Sequence, residues 1–167
     1  MKKTFIFLIS LVLLQNCTGC DDDDKTIDIS VLPEETTTGA NTFGCVIDGW
    51  VYVGGRYYHP YYNDYHDTVY THHHEDVHSI LFCYYPELDR IKVTAWVERD
   101  YNLSFVINNP EEGKECILTD VYFRDSELPD GTAYITMFNK GYKQFISGRF
   151  ECGNIIKHGR FDALYHK

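Results

Sequence analysis

Basic residues are scarce in this chain: 15 Lys plus Arg stand against 25 Asp plus Glu, a formal charge of -10 over 167 residues. Affinity for nucleic acid rests on neutralising phosphates with Lys and Arg, so a nucleic-acid partner is excluded. Enzyme signatures are missing as well. The chain has no Gly-x-Ser-x-Gly, no Gly-x-Gly-x-x-Gly and no phosphate loop, which leaves acyl transfer at a nucleophile elbow and nucleotide chemistry without support. Among the four cysteines beyond residue 20, Cys45, Cys83, Cys116 and Cys152, no Cys-x-x-Cys spacing occurs, which weighs against a structural zinc site or a thioredoxin-like redox pair in the domain. What is present is a globular composition, 24% charged and 44% hydrophobic, sufficient for one domain behind an N-terminal segment. The 14 Tyr and 10 Phe lean toward strands.

The N-terminal segment reads as an address. Lys2 and Lys3 precede an apolar run over residues 5–14 interrupted only by Ser10. A run of about ten residues is half of the roughly 20 needed to span a bilayer, and the charge order is that of a secretory signal peptide. The stretch Leu14-Gln15-Asn16-Cys17-Thr18-Gly19-Cys20 resembles a bacterial lipobox, in which a small residue precedes the Cys that is acylated. Small Thr18 and Gly19 favour Cys20 as the lipidated residue, with Cys17, three places after Leu14, as the alternative. Asp21 to Asp24 follow at once and resemble the surface-export signal of Bacteroidota lipoproteins; a plain solvated linker would instead leave the protein on the periplasmic leaflet of the outer membrane. Removing Lys2 and Lys3 with the leader leaves 13 basic residues against 25 acidic ones, near -12. Such a chain is repelled by anionic lipid, so anchoring has to come from acyl chains, palmitate among them.

Residues 25–41 are polar, Thr-rich and punctuated by Pro33 and Gly39, without a period of 3.6 or 2. The expected organisation is a signal over 1–19, a tether over 20–40 and a folded domain over 41–167. Alternation begins at Phe43, Cys45 and Ile47, and Asp48-Gly49 supplies a hairpin turn into 50–53. Further strands are expected over 80–84, 91–97, 103–107, 117–123, 133–138, 145–150 and 159–165, with turn residues between them. About nine short strands imply an all-β antiparallel sandwich or partly closed barrel. In the strand over 91–97 Ile91, Val93, Ala95 and Val97 face the core, which puts Trp96 outward as a cross-strand partner or as a stacking platform for a sugar ring.

The opening Leu32-Pro33-Glu34-Glu35-Thr36-Thr37-Thr38-Gly39-Ala40-Asn41-Thr42-Phe43-Gly44-Cys45 resembles that of a family of small Bacteroidota lipoproteins with a β-rich domain of unknown function. Ile146-Ser147-Gly148-Arg149-Phe150-Glu151 and Gly159-Arg160-Phe161-Asp162 resemble its last two strands. The resemblance implies an all-β exported lipoprotein with no established catalytic residue set.

Cleavage before Cys20 leaves Cys45, Cys83, Cys116 and Cys152, an even number that suits an oxidising compartment. Cys45 and Cys152 share the apolar phase of their strands. Cys83 and Cys116 fall in the opposite phase if Ile117, Val121 and Phe123 point inward. Pairing within a phase gives Cys45 with Cys152 and Cys83 with Cys116, an assignment that a one-residue bulge would overturn.

Residues 57–78 hold six Tyr and six of the eight His. His74-Glu75-Asp76-Val77-His78 has the letters of His-Glu-x-x-His, which on a helix sets two imidazoles on zinc and a Glu beside the bound water. A catalytic site would also need a third ligand, and Glu98 lies twenty residues on. Asp76 at an inner position, the missing downstream Gly and His, and the β-favouring residues over 80–85 oppose a peptidase, so the match is read as coincidental. Extended chain would instead point His72 and His74 the same way, and with His78 these could hold zinc or another divalent transition metal. No cofactor is required otherwise. Tyr57, Tyr58, Tyr61, Tyr62 and Tyr65 supply apolar rings with hydroxyls, suited to contacting a glycan or protein ligand. The expectation is a non-enzymatic, lipid-anchored binding module of the outer membrane, with a metal-binding protein as the alternative. Palmitate labelling of the expressed full chain checks the anchor: Cys20→Ser is expected to abolish the label and Cys17→Ser to retain it.

Overall fold

The computed structural model describes residues 28–55, 60–62, 68–70, 80–98 and 101–167. After a 3-10 turn at Ile29–Val31 come β1 (Thr42–Ile47), β2 (Trp50–Gly55), β3 (Pro60–Tyr62), β4 (Thr68–Tyr70), β5 (Ile80–Tyr85) and β6 (Arg90–Glu98). They are followed by β7 (Tyr101–Asn108), β8 (Glu115–Phe123), β9 (Ser126–Glu127), β10 (Gly131–Asn139), β11 (Phe145–Cys152) and β12 (Ile156–Leu164). All nine expected strands form. The additions are short: β3 and β4 pair with each other inside the Tyr- and His-rich segment, and β9 folds back on β8. Arg124 and Asp125, both at positive φ (54° and 65°), make the two-residue turn that admits β9. Asp48 and Gly49, at 48° and 81°, do the same between β1 and β2.

Ten strands make one antiparallel sheet in the order β2-β1-β12-β11-β10-β8-β7-β6-β5, with β9 beside β8. The sheet curls until its edges nearly meet. The Tyr84 amide donates to the His166 carbonyl (2.7 Å) and the His166 amide to the Phe82 carbonyl (2.9 Å), so the residues after β12 pair along β5. β2 packs over β6. The architecture is therefore the barrel form of the expected all-β class. Closure satisfies backbone groups that an open edge would leave to solvent or to another chain.

Alternation fills the interior. Ile91, Val93, Ala95 and Val97 on β6 and Leu103, Phe105 and Ile107 on β7 are all buried. The rings of Phe43, Phe105 and Phe150 stack at 5.3, 5.0 and 6.4 Å, and Tyr84, Phe138 and Tyr165 form a second cluster at 5.3 to 5.7 Å. Strict alternation is interrupted by extra residues on β6, β8, β10 and β12. Between β7 and β8, Ser104 faces Tyr122 but Val106 faces Thr119, so β8 carries an extra residue, and Asp120 lies there at φ 52°. N-terminal to this bulge the phase inverts: Cys116 and Leu118 are buried while Ile117 is exposed, the opposite of the inward Ile117 expected. β12 has an extra residue against both neighbours at His158, φ 53°.

The Thr-rich stretch expected as tether is docked on the barrel from Leu32 onward. Leu32 is buried, and Pro33 lies so close over Gly44 that a Cβ there would sit 2.6 Å from its Cδ. The clamp is the carboxylate of Asp162, on β12 and 1% exposed. It accepts from Ser147 Oγ (2.6 Å), Thr36 Oγ1 (2.5 Å), Thr38 Oγ1 (3.3 Å) and the amides of Thr38 (3.0 Å), Gly39 (2.8 Å) and Ala40 (3.1 Å). The Asp162 carbonyl takes the Asn41 amide, and Lys143 donates to the Thr38 carbonyl. Burial by itself pushes this carboxyl up, but the bonds from Ser147, Thr36, Ala40 and Thr38 to the ionised form outweigh it and hold the group at about 2.

An acid lowered from 3.8 to about 2 on folding stabilises the fold above its unfolded value, and that contribution, about 2 kcal/mol, is lost as pH falls through 4 toward 2. Asp162→Asn keeps the shape but turns an amide NH2 toward groups that are themselves donors. It is expected to cost about 3 kcal/mol in urea unfolding at pH 7 and to flatten the stability profile below pH 4.

Candidate functional site

Packed rings occupy the interior among the described residues, and two clefts lie on the outer surface. One, of about 300 Å³, lies where the N-terminal arm crosses β11 and β12. Arg149 and Arg160 are cross-strand neighbours there, and Glu35 of the arm sits between them, 3.7 Å from Arg149 Nε and 3.8 Å from Arg160 Nε. Arg160 also donates to the Pro33 carbonyl at 3.2 Å, and the Arg149 guanidinium lies 5.7 Å over the ring of Tyr134. Both arginines are engaged in holding the arm. Glu115 and Glu151 complete a lining with no excess of positive charge.

The second cleft, about 370 Å³, opens on the outside of β5 to β8. Its residues follow from register. Arg90 and Lys92 occupy the outward phase of β6; Tyr85 is the Cα partner of Arg90, and Ser104 on β7 is the partner of Tyr122 on β8. The bulge on β8 brings Asp120 to the same rim. Val106, opposite both Lys92 and Thr119, forms the floor, buried although its phase is outward. The walls are Tyr85 and Tyr122, each a little over a third exposed, and the Arg90 guanidinium lies 5.9 Å over the Tyr85 ring. The chemistry available is stacking on two phenol rings, two cationic donors, a hydroxyl and one carboxylate. This suits reversible binding of a small polar ring compound.

Trp96 is exposed on the same outer face, as expected, opposite Asn102. Four residues along β6 from Lys92, it is about 13 Å from the cleft by strand rise and does not line it. Tyr61 and Tyr62 lie in β3, paired with Val69 and Thr68. Tyr57, Tyr58 and Tyr65, the histidines His72, His74 and His78, and Cys17 and Cys20 lie outside the described residues. Among the described residues no three His, Cys, Asp or Glu side chains gather as a metal site. The cleft residues escaped the sequence reading because they come from four strands, and only register aligns them. Their one signal was the outward phase of Lys92 and its neighbours.

The expected disulfides are not formed: Cys45, Cys83, Cys116 and Cys152 are free thiols. β12 runs between β1 and β11, which separates Cys45 from Cys152 by two strand spacings, about 9.5 Å, beyond the roughly 7 Å that a disulfide bridges between Cα atoms. β6 and β7 separate Cys83 from Cys116 more widely, and the β8 bulge turns Cys116 inward while Cys83 stays on the outer phase. Burial pushes the Cys45 thiol up, with the nearby Cys152 adding to it; burial and then Asp130 push Cys152 up to about 11. Burial likewise raises Cys116. With a thiol reagent at pH 8, Cys83 of the native protein is expected to react fastest, the other three only after denaturant is added. All four should react without prior reduction, as checked by mass spectrometry.

No family model matches the chain, and neither a curated protein nor a solved structure matches it.

Proposed function

We propose that this protein is a lipid-anchored, non-enzymatic binding module of the bacterial outer membrane, displayed on the cell surface, whose ligand site is the cleft between Tyr85 and Tyr122. The address is supported by the basic and apolar leader, the lipobox-like Thr18-Gly19-Cys20 and the acidic run over 21–24. The binding role is supported by one observation above the others. Tyr85 and Tyr122, 38 and 39% exposed, wall a cleft on the outer face of β5 to β8 that already has polar groups on its rim, and Leu81 and Trp96 are exposed on the same face. Scattered exposed apolar residues are ordinary, but aromatic rings flanking a recess with convergent polar groups are what small-ligand sites are built from. The filled interior supports an external site rather than a lipocalin-like cavity.

Glycans are the ligand class that best matches two phenol walls with a hydroxyl and a carboxylate between them. A glycan array probed with the full-length protein tests this. Retention of a discrete subset is expected, at least tenfold weaker in Tyr85→Ala/Tyr122→Ala, since 1.4 kcal/mol of lost stacking is tenfold in affinity. Both residues are on the outer surface, so the double variant should keep the wild-type melting temperature. An array left blank by the wild type removes the reading.

A further inference from the structure

Granted that the Tyr85 and Tyr122 cleft is the ligand site, on which this inference rests, we infer that its ligand is an acidic sugar, a pyranose bearing a carboxylate, held by Arg90 and Lys92. The first ground is charge. In a chain of formal charge -10, this cleft brings together two cations and a single acid, Asp120, so its sign is opposite to that of the molecule. The second ground is what those cations do in the cleft. The cations of the other cleft are engaged, since Arg149 and Arg160 hold Glu35, and Lys114 pairs with Glu111 at 2.7 Å. Arg90 and Lys92 form no ion pair with any described residue, and Arg90 rests over the Tyr85 ring at 5.9 Å. A guanidinium presented this way keeps its edge donors for a planar carboxylate, which it receives in two parallel hydrogen bonds.

The remaining features select the rest of the ligand. Flat phenol walls and the Val106 floor accept the C–H face of a sugar ring, while Ser104 can donate to or accept from a hydroxyl and Asp120 accepts from one. The volume of about 370 Å³ lies near the lower limit for small-molecule pockets, so a short saccharide fits and a large aromatic cofactor does not. A polyanion such as nucleic acid or a densely phosphorylated chain would extend past the cleft onto an acidic surface and be repelled. A single carboxylate inside the cleft meets two cations against one acid, Asp120, so attraction outweighs repulsion there.

Calorimetry on full-length protein tests this with hexuronate and sialic-acid oligosaccharides, the corresponding uronate methyl esters, and neutral oligosaccharides of the same linkage. At least one acidic sugar is expected to bind, with the arm that does so identifying the source of the carboxylate. Its methyl ester should bind at least tenfold more weakly, a comparison that needs no variant and so does not depend on how substitutions fold. Arg90→Gln and Lys92→Gln should each lose about tenfold for the acid and leave the weak binding of the ester unchanged. The acid's affinity should also fall as salt rises from 0.05 to 0.5 M. Equal binding of acid and ester, or binding of neutral sugars alone, overturns the acidic-sugar inference while the Tyr85→Ala/Tyr122→Ala loss keeps the cleft as the site. Absence of binding by every saccharide overturns both.

Discussion

One buried carboxylate organises the start and the end of this domain. Asp162 is removed from water, which for an isolated charge would be prohibitive, and remains ionised because hydroxyls and amides surround it. Five of its six hydrogen bonds come from residues 36–40, a segment with no strand pairing of its own over that stretch. The carboxylate thus replaces the backbone partners that a sheet would have supplied, and the polypeptide there follows the acid's geometry. Ser147, on the neighbouring β11, contributes the remaining bond and ties the clamp to the sheet. Glu35 and the two arginines it touches are subsidiary: those pairs are long and partly exposed, and exposed pairs contribute little, about 1 kcal/mol or less each.

Two of the sheet's bulges, on β8 and β12, decide which side chains those strands show to the outside. At Asp120 the extra residue shifts β8 so that Cys116 and Leu118 enter the core and Ile117 leaves it, and it delivers Asp120 to the rim of the ligand cleft. At His158 the extra residue shifts β12 against both β1 and β11, so that Ile156 and Phe161 are both buried although, five positions apart, they would fall on opposite faces of an unbroken strand. Bulges increase local twist and bend, and a sheet that must bring β5 round to the residues after β12 needs both. The conformational cost is a non-glycine residue at positive φ at each place, which Asp and His tolerate better than β-branched residues do.

Much of the fold was legible because antiparallel strands that bury one face write a period of two into the sequence, and β6 is the plainest example. Asp48-Gly49 announced its hairpin for the same local reason, the demand for positive φ. What was not legible depended on contacts between distant residues. Nothing near Thr36 to Ala40 reveals that a carboxylate more than 120 residues away will order it, so the segment read as a tether. The β8 phase was misread because a bulge has no reliable sequence mark, and the expected Cys83–Cys116 pair inherited that error, whereas the Cys45–Cys152 pair failed because strand order, with β12 between β1 and β11, is not written locally. The cleft was hidden likewise: Tyr85, Lys92, Ser104 and Tyr122 are ordinary outward residues until register aligns them, whereas the conspicuous Tyr and His run drew attention by composition alone.

The position of β12 in the sheet has a kinetic consequence. It lies between β1 and β11, and Thr42 pairs with Asp162 across 120 residues of chain. Pairings so distant in sequence cannot form until the intervening loop has been closed, and chains dominated by them fold in milliseconds to seconds rather than microseconds. The β5 to β8 meander and the β10–β11 hairpin consist of local pairings and can assemble early. The β1–β2 hairpin has to wait for β12 before it has a second neighbour. During that interval the edges of β1 and β11 are both open, each carrying Phe and Ile on its inner face, and it is the arrival of a single strand that removes both hazards together.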